Sequence, residues 1–214
     1  MSFNRLAAGA GFIVVVLLVL NVALLGDQPK VDESIAEYGS YIQDDEGLHK
    51  TALLLGILVL PFAAVFFSGV LMPIRESDRE HNEGWAIAAL IGGILLGATA
   101  GLGDTFAAVL FFRTGEDLDA ATVRALWDGQ LLAYASTGVA MTALTGAVAV
   151  PTLTHKLRPA WYGWLSAVVA VLGLLALISV VGTSVGASIF GLIALIGFLV
   201  WTLATSALLY RQPS

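Results

Sequence analysis

The stretch Ile91-Gly-Gly-Ile-Leu-Leu-Gly-Ala-Thr-Ala-Gly-Leu-Gly-Asp-Thr-Phe106 decides how this chain is read. It is apolar enough to sit in hydrocarbon, rich in glycine, and interrupted by one carboxylic acid, Asp104. With its flanks it forms a continuous apolar run over roughly residues 85–112, and about 20 such residues carry a helix across about 30 Å of hydrocarbon. A strand of a membrane barrel would alternate apolar and polar residues in pieces of about ten. This run is apolar on all sides and reads as a spanning helix.

Five more runs of the same kind lie outward from it, over roughly residues 6–26, 51–73, 130–153, 161–181 and 187–210. The expected fold is all-α: a single polytopic bundle of six transmembrane helices spanning residues 1–214. The composition agrees. Of 214 residues, 58% are hydrophobic and 12% charged, against roughly 25% charged in soluble domains. Mean hydropathy is +0.88. So few charges cannot cover a water-facing surface. The first run is longer than the apolar core of about 7–15 residues in a signal peptide, and it reads as a span. The chain has no cysteine, which excludes disulfides, thiolate metal sites and cysteine nucleophiles. A net charge of −6 and the lack of a basic patch argue against a nucleic-acid partner.

Asp104 is the chemical question of the chain. It lies roughly nine residues, or about 13 Å, inside the outer end of its span. An acid near the centre of a spanning helix costs about 2.5–3.5 kcal/mol on insertion scales, so it should face the bundle. Gly93, Gly97 and Gly101 are spaced by four and continue to Thr105, a small-residue ridge, widened by Gly92 and Gly103, that lets a neighbouring helix approach. Partners at the same depth come from the next span, where Tyr134, Ser136 and Thr137 can donate, and from Asn21 on the first. No Lys, Arg or His lies at this depth, so desolvation favours the neutral acid. Two readings stand side by side: a buried acid locking helices through hydroxyl contacts, or a proton or cation site.

The flanks orient the bundle. With the N-terminus in the cytoplasm, the inner segments hold Arg5, Arg75, Arg79, Lys156, Arg158 and Arg211, against Lys30, Lys50, Arg113 and Arg124 outside. Positive-inside counting therefore places the chain in the cytoplasmic membrane with both termini inside. Trp85, Trp161, Tyr162, Trp164 and Tyr210 fall near the inner interface, and Phe111, Phe112 and Trp127 near the outer one, where rings favour the headgroup level. The outer segment 27–50 carries Asp27, Asp32, Glu33, Glu37, Asp44, Asp45 and Glu46. Within it, Ser34-Ile-Ala-Glu37 reads as a capping box. Ile35, Tyr38, Tyr41 and Ile42 then recur at helical spacing, so a short extracytoplasmic helix is expected on the membrane surface. Asp117 or Asp119 can cap the fourth span. Pro61 should kink the second.

Other polar clusters have simpler readings. Glu46 and His49 have the Glu-x-x-His spacing of bundle di-metal sites, with Asp45 and Asp44 beside them. Those sites need two such pairs in a dry core, so a solvated helix start competes with a weak metal site. His81 belongs to a charged inner turn. His155, Lys156 and Arg158 suit anionic headgroups. No hydrolase elbow and no phosphate-binding glycine loop occurs. No cofactor is expected, and no inverted repeat of three helices is visible.

Gly47-Leu-His49-Lys50, Ala125-Leu-Trp-Asp128, Arg158-Pro-Ala-Trp-Tyr-Gly-Trp164 and the terminal Arg211 follow one another along the chain. In this order they resemble a group of uncharacterised bacterial six-helix membrane proteins, a domain of unknown function. The resemblance implies a fold and a location, and it supplies no functional residues. Three functional classes follow from the residues. The first is a non-enzymatic accessory or structural membrane component, or one that binds a lipid-like ligand. The second is a small ion- or proton-coupled transporter or channel using Asp104. The third is a lipid-acting membrane enzyme. Membrane lipids, a second copy of the chain or another membrane protein are the expected partners.

Overall fold

A computed structural model describes residues 2–26, 28–29, 34–81, 83–113, 118–177 and 185–212. Asp27, Lys30, Asp32, Glu33 and Asp117 lie outside the described residues. The described residues form seven helices and no strand: α1 (Phe3–Leu25), α2 (Ile35–Asp44), α3 (Glu46–His81), α4 (Trp85–Phe112), α5 (Ala120–Thr154), α6 (Ala160–Ala176) and α7 (Val185–Arg211). Helices are the expected solution, because each satisfies its own backbone hydrogen bonds where no water is at hand. Five are long and apolar enough to cross a membrane: α1, α3, α4, α5, and α7 over Ile189–Arg211. The sequence predicts six such spans. The remaining one, α6, is apolar but 17 residues long, about 26 Å at the helical rise. The residues that would lengthen it, 178–184, lie outside the described set.

Each long helix packs against two others in the cyclic order α1, α3, α4, α5, α6, α7 and back to α1. Large apolar side chains such as Ile87, Ile94, Leu54 and Val168 point outward around this ring. Phe66, Leu144, Tyr162 and Trp201 fill its interior and are fully buried. The α6–α7 crossing is closed by a reciprocal pair. Trp201 Nε1 donates to Ser166 Oγ at 2.9 Å, and Ser166 passes its own proton to the Tyr162 carbonyl at 2.9 Å. The Tyr162 hydroxyl meets Thr205 Oγ1 at 2.8 Å, whose proton goes to the Trp201 carbonyl at 2.7 Å. Tyr162 is therefore the donor, and each ring supports the helix that carries the other.

Glycine placement follows helix geometry more closely than spacing by four suggests. Gly93 and Gly97 meet only the side chains of Phe67 and Leu60 on α3, and a Cβ at Gly101 would meet nothing within 4 Å. The closest approach of α4 is made instead by Gly92 and Gly103, both toward α5. A Cβ at Gly92 would lie 2.8 Å from the Leu144 Cα, and one at Gly103 would lie 2.6 Å from the Tyr134 ring. This corrects the expected ridge of Gly93, Gly97 and Gly101. A step of four residues rotates about 40° around a helix, so such a ridge drifts off one neighbour, whereas eleven residues return to within about 20°. A second tight crossing joins α5 to α6, where Gly138 and Gly173 face each other's carbonyls and Thr142 Oγ1 donates to the Ala170 carbonyl at 2.8 Å.

The caps behave as the sequence implies. Ser34 and Glu37 form a capping box: the Ser34 amide donates to Glu37 Oε2 at 2.7 Å, and Ser34 Oγ accepts from the Glu37 amide at 3.4 Å. Asp119 caps α5, accepting from the Thr122 amide at 2.9 Å and the Thr122 hydroxyl at 2.7 Å. These bonds, the hydroxyl first, hold the Asp119 carboxyl below the usual carboxylate range. Pro61 and Pro73 both sit inside an unbroken α3.

Candidate functional site

The site lies toward the α2 end of the bundle and is assembled from five helices. Gly103 lets the Tyr134 ring lie against α4, and this brings the Tyr134 hydroxyl to Asp104 Oδ1, to which it donates at 2.7 Å. On the other side stands Gly56 of α3. A Cβ there would fall 3.2 and 3.3 Å from the two Asp104 oxygens and 3.3 Å from the Asn21 amide nitrogen. Glycine thus opens the space in which α1, α3 and α4 bring their polar groups together. Asn21 Nδ2 donates to the Ala52 carbonyl at 2.7 Å, tying α1 to α3 one turn from Gly56.

The structure therefore brings Asp104, Tyr134 and Asn21 together. It does not bring Thr137 or Ser136. Their hydroxyls bond the carbonyls of Tyr134 and Leu132 on their own helix. This corrects the expectation for Thr137, and the reason is local: a threonine in a helix reaches the preceding turn more easily than a neighbouring helix.

Above this junction α2 lies across the bundle. Its apolar stripe faces protein: Tyr38 is completely buried and Ile42 nearly so, in a cluster with Leu53, Leu110, Phe111 and Trp127. Tyr41 is the hub. Its ring lies 4.4 Å from His49 and 5.6 Å from Trp127, and His49 stacks on Phe111 at 4.8 Å. The Tyr41 hydroxyl donates to the Leu25 carbonyl at 2.8 Å, and burial holds its phenol well above the ordinary range. Two rings expected at the headgroup level, Phe111 and Trp127, are core residues instead; Phe112 is exposed. Tyr162 at the other end is likewise buried, while Trp161, Trp164 and Tyr210 are exposed.

The Glu46, His49 and Asp45 set does not converge. Glu46 pairs with Lys50 one turn on, whereas His49 is 3% exposed and turned into the aromatic cluster. Residues three apart on a helix share a face, but here one was drawn to solvent and the other to rings. Among the described residues no group of three His, Asp or Glu could hold a metal.

Sequence reasoning passed over Gln130, 1% exposed, and Trp127 as polar core residues. Their signal was available: Trp127, Gln130 and Tyr134 recur at i, i+3 and i+7 on one face of α5. It also passed over Asp78 of α3, whose Oδ2 accepts from the Ala86 amide at 2.6 Å and so caps α4 across the turn. At that end the His81 and His155 rings stack at 3.7 Å, and His155 Nε2 meets Glu83 at 3.0 Å. The charged turn around His81 and the turn around His155, expected to meet headgroups, are docked together. The Arg158 guanidinium lies over the Tyr162 ring at 5.5 Å, and burial lowers its pKa from the ordinary value. A cavity of about 440 Å³ opens at the same end, between Asn4, Pro73, Glu76, Glu80, Leu157 and Gln212. Its lining residue Met72 stands sixteen residues along α3 from Gly56, about 24 Å away.

No family model, curated protein or solved structure matches the chain.

Proposed function

We propose that this chain is a non-enzymatic component of the cytoplasmic membrane, acting as an accessory or structural member of an assembly or as a holder of a lipid-like ligand. It would cross the membrane six times, with α6 as the fifth span and both termini on the cytoplasmic side. The Arg5 guanidinium lies 5.7 Å above the Tyr210 ring, which supports placing the first and last helices' ends on one face. The observation that carries the reading is the bond between Tyr134 and Asp104. The mid-span acid is engaged in helix–helix contact, the use that packing alone asks of it. Native mass spectrometry of the chain extracted in mild detergent tests this, with a bound membrane protein or lipid expected. A chain that emerges bare, and whose Asp104→Asn form loses an ion flux in vesicles, overturns it.

A transporter or channel is the second reading, and one observation favours it. Tyr134 engages Oδ1 alone, and the second Asp104 oxygen, like the Asn21 amide, stands beside Gly56. Cation- or proton-driven flux abolished by Asp104→Asn in vesicles would promote this reading over the first.

A further inference from the structure

The cavity at the end opposite α2 has a volume of about 440 Å³, within the roughly 300–1,000 Å³ of small-molecule sites. Four parts of the chain meet at it: Asn4 at the start of α1, Glu76, Ser77 and Glu80 near the end of α3, Leu157 of the α5–α6 turn, and Gln212 beyond α7. Glu76 and Glu80 stand one turn apart on α3. Like charges at that spacing repel, and among the described residues neither is in an ion pair. Two acids alone describe a solvated face, but Ser77 beside them is 2% exposed and lines the same cavity. Buried hydroxyls elsewhere in these helices, on Thr145, Thr152, Ser166 and Thr202, return their proton to a carbonyl four residues back. Ser77 makes no such bond among the described residues. Its Oγ stands 3.5 Å from His81 Nδ1, and that nitrogen lies 2.9 Å from the Ser77 carbonyl. A carbonyl can only accept, so the shorter contact puts the proton on Nδ1, which then cannot accept from the hydroxyl. The Ser77 proton is left without an acceptor among the described residues, at the wall of the cavity.

The occupant must therefore bring a cation to the two acids and an acceptor oxygen to Ser77. The amides of Asn4 and Gln212 can donate to such an oxygen as well. A primary ammonium joined by a short linker to a phosphate meets both demands. The walls select its source. Met72 lines the cavity and is 47% exposed, at the inner end of the second apolar run, so one wall continues into the lipid-facing surface. We propose that this cavity holds the headgroup of a zwitterionic aminophospholipid, with its ethanolamine ammonium on Glu76 and Glu80 and its phosphate on Ser77, Asn4 and Gln212. A choline headgroup has no N–H to give the acids, and a glycerol headgroup has no cation. The assignment rests on the reading of the chain as a holder of a lipid-like ligand, and it names the lipid.

Native mass spectrometry of the full chain in mild detergent tests this, with phosphatidylethanolamine, phosphatidylcholine and phosphatidylglycerol of matched acyl chains added in turn. The ethanolamine lipid should be retained about tenfold better than either of the others, the scale of one charge-assisted hydrogen bond. Glu76→Gln and Glu80→Gln should each shrink that preference and leave the choline lipid as it was. Ser77→Ala should weaken the ethanolamine and choline lipids alike, because both carry the phosphate. The three variants are read separately, each against its own thermal transition, so one that fails to fold leaves two. Soluble glycerophosphoethanolamine at the same concentration should not displace the lipid; if it does, the occupant is a free phosphoamine and the lipid assignment is overturned. Equal retention of the three lipids, or a preference that survives both glutamine variants, overturns the assignment while a lipid-holding chain stands. A chain bare of every lipid overturns it too, and the reading above then falls only if Asp104→Asn also loses an ion flux.

Discussion

Trp201 and Trp127 are both completely buried, at opposite ends of the bundle, and they are housed in opposite ways. Trp201 donates its indole proton to Ser166, stacks with Phe198 at 5.6 Å, and meets the Phe66 ring edge-on at 6.1 Å. Ser166 of α6 satisfies its indole proton, while Ser206 Oγ on α7 has no partner among the described residues. Trp127 is packed by Tyr38 at 4.9 Å and Tyr41, yet its indole proton meets no protein acceptor among the described residues. Burial is the same in both places, so burial alone does not separate a structural core from a chemical one. What separates them is whether the polar atoms are closed within the protein.

Trp201→Ala tests the ring whose indole proton is closed within the protein and should have the largest effect. It empties a ring-sized space and leaves Ser166 Oγ without its donor. The expected loss is about 3 kcal/mol, the low end of the range for large aromatic truncations, because lipid rather than water is the reference for membrane helices. A thermal shift in detergent reads it, and an unchanged transition would break the comparison. Gly138→Val should come next, at about 2 kcal/mol, since its Cβ would lie 2.5 Å from the Gly173 carbonyl oxygen and backbone cannot step aside. The same assay at Gly101, where a Cβ meets nothing, should show little change.

At the open end, Asp104→Leu should cost about 1 kcal/mol, the scale of an interhelical hydrogen bond in a membrane protein. Asp104→Asn should cost less, because its carbonyl still accepts from Tyr134. If both cost as much as Trp201→Ala, the acid is a keystone of packing and the contrast between the two ends fails. The smallest effect should come from the Asp119 cap. Its folded carboxyl is held below the ordinary range, so its contribution is present above about pH 4 and fades as pH falls through the lower folded value. Hydrogen exchange at the start of α5 should show that loss in acid, and Asp119→Ala should show it at every pH.

Much of the fold was legible. Runs of apolar residues report helices directly, and the α4 boundaries read from sequence, 85–112, are those of the structure. Ser34, Glu37 and Asp119 announced their caps because a cap is made within four residues. Tyr134 was legible as a partner of Asp104 because depth in the membrane can be counted from the ends of spans. The glycine seam was legible only in part: Gly92 and Gly103 were read as widening a ridge of Gly93, Gly97 and Gly101, but spacing by four looks like a ridge in sequence and spirals off its neighbour in space. Phe111 and Trp127 were misplaced for a related reason. Depth alone cannot tell a ring facing headgroups from one covered by α2.

By itself the sequence determined that the chain is helical, that it belongs in lipid, and that Asp104 must turn inward, because these follow from the local cost of bare backbone and charge in hydrocarbon. Only the tertiary structure decided that Gly92 and Gly103 carry the α4–α5 contact, that α2 roofs one end, and that His49 and Trp127 both meet Tyr41 beneath it. A helix's periodicity specifies which face is buried. It does not specify which neighbour buries it, and the chemistry of the site depends on the neighbour.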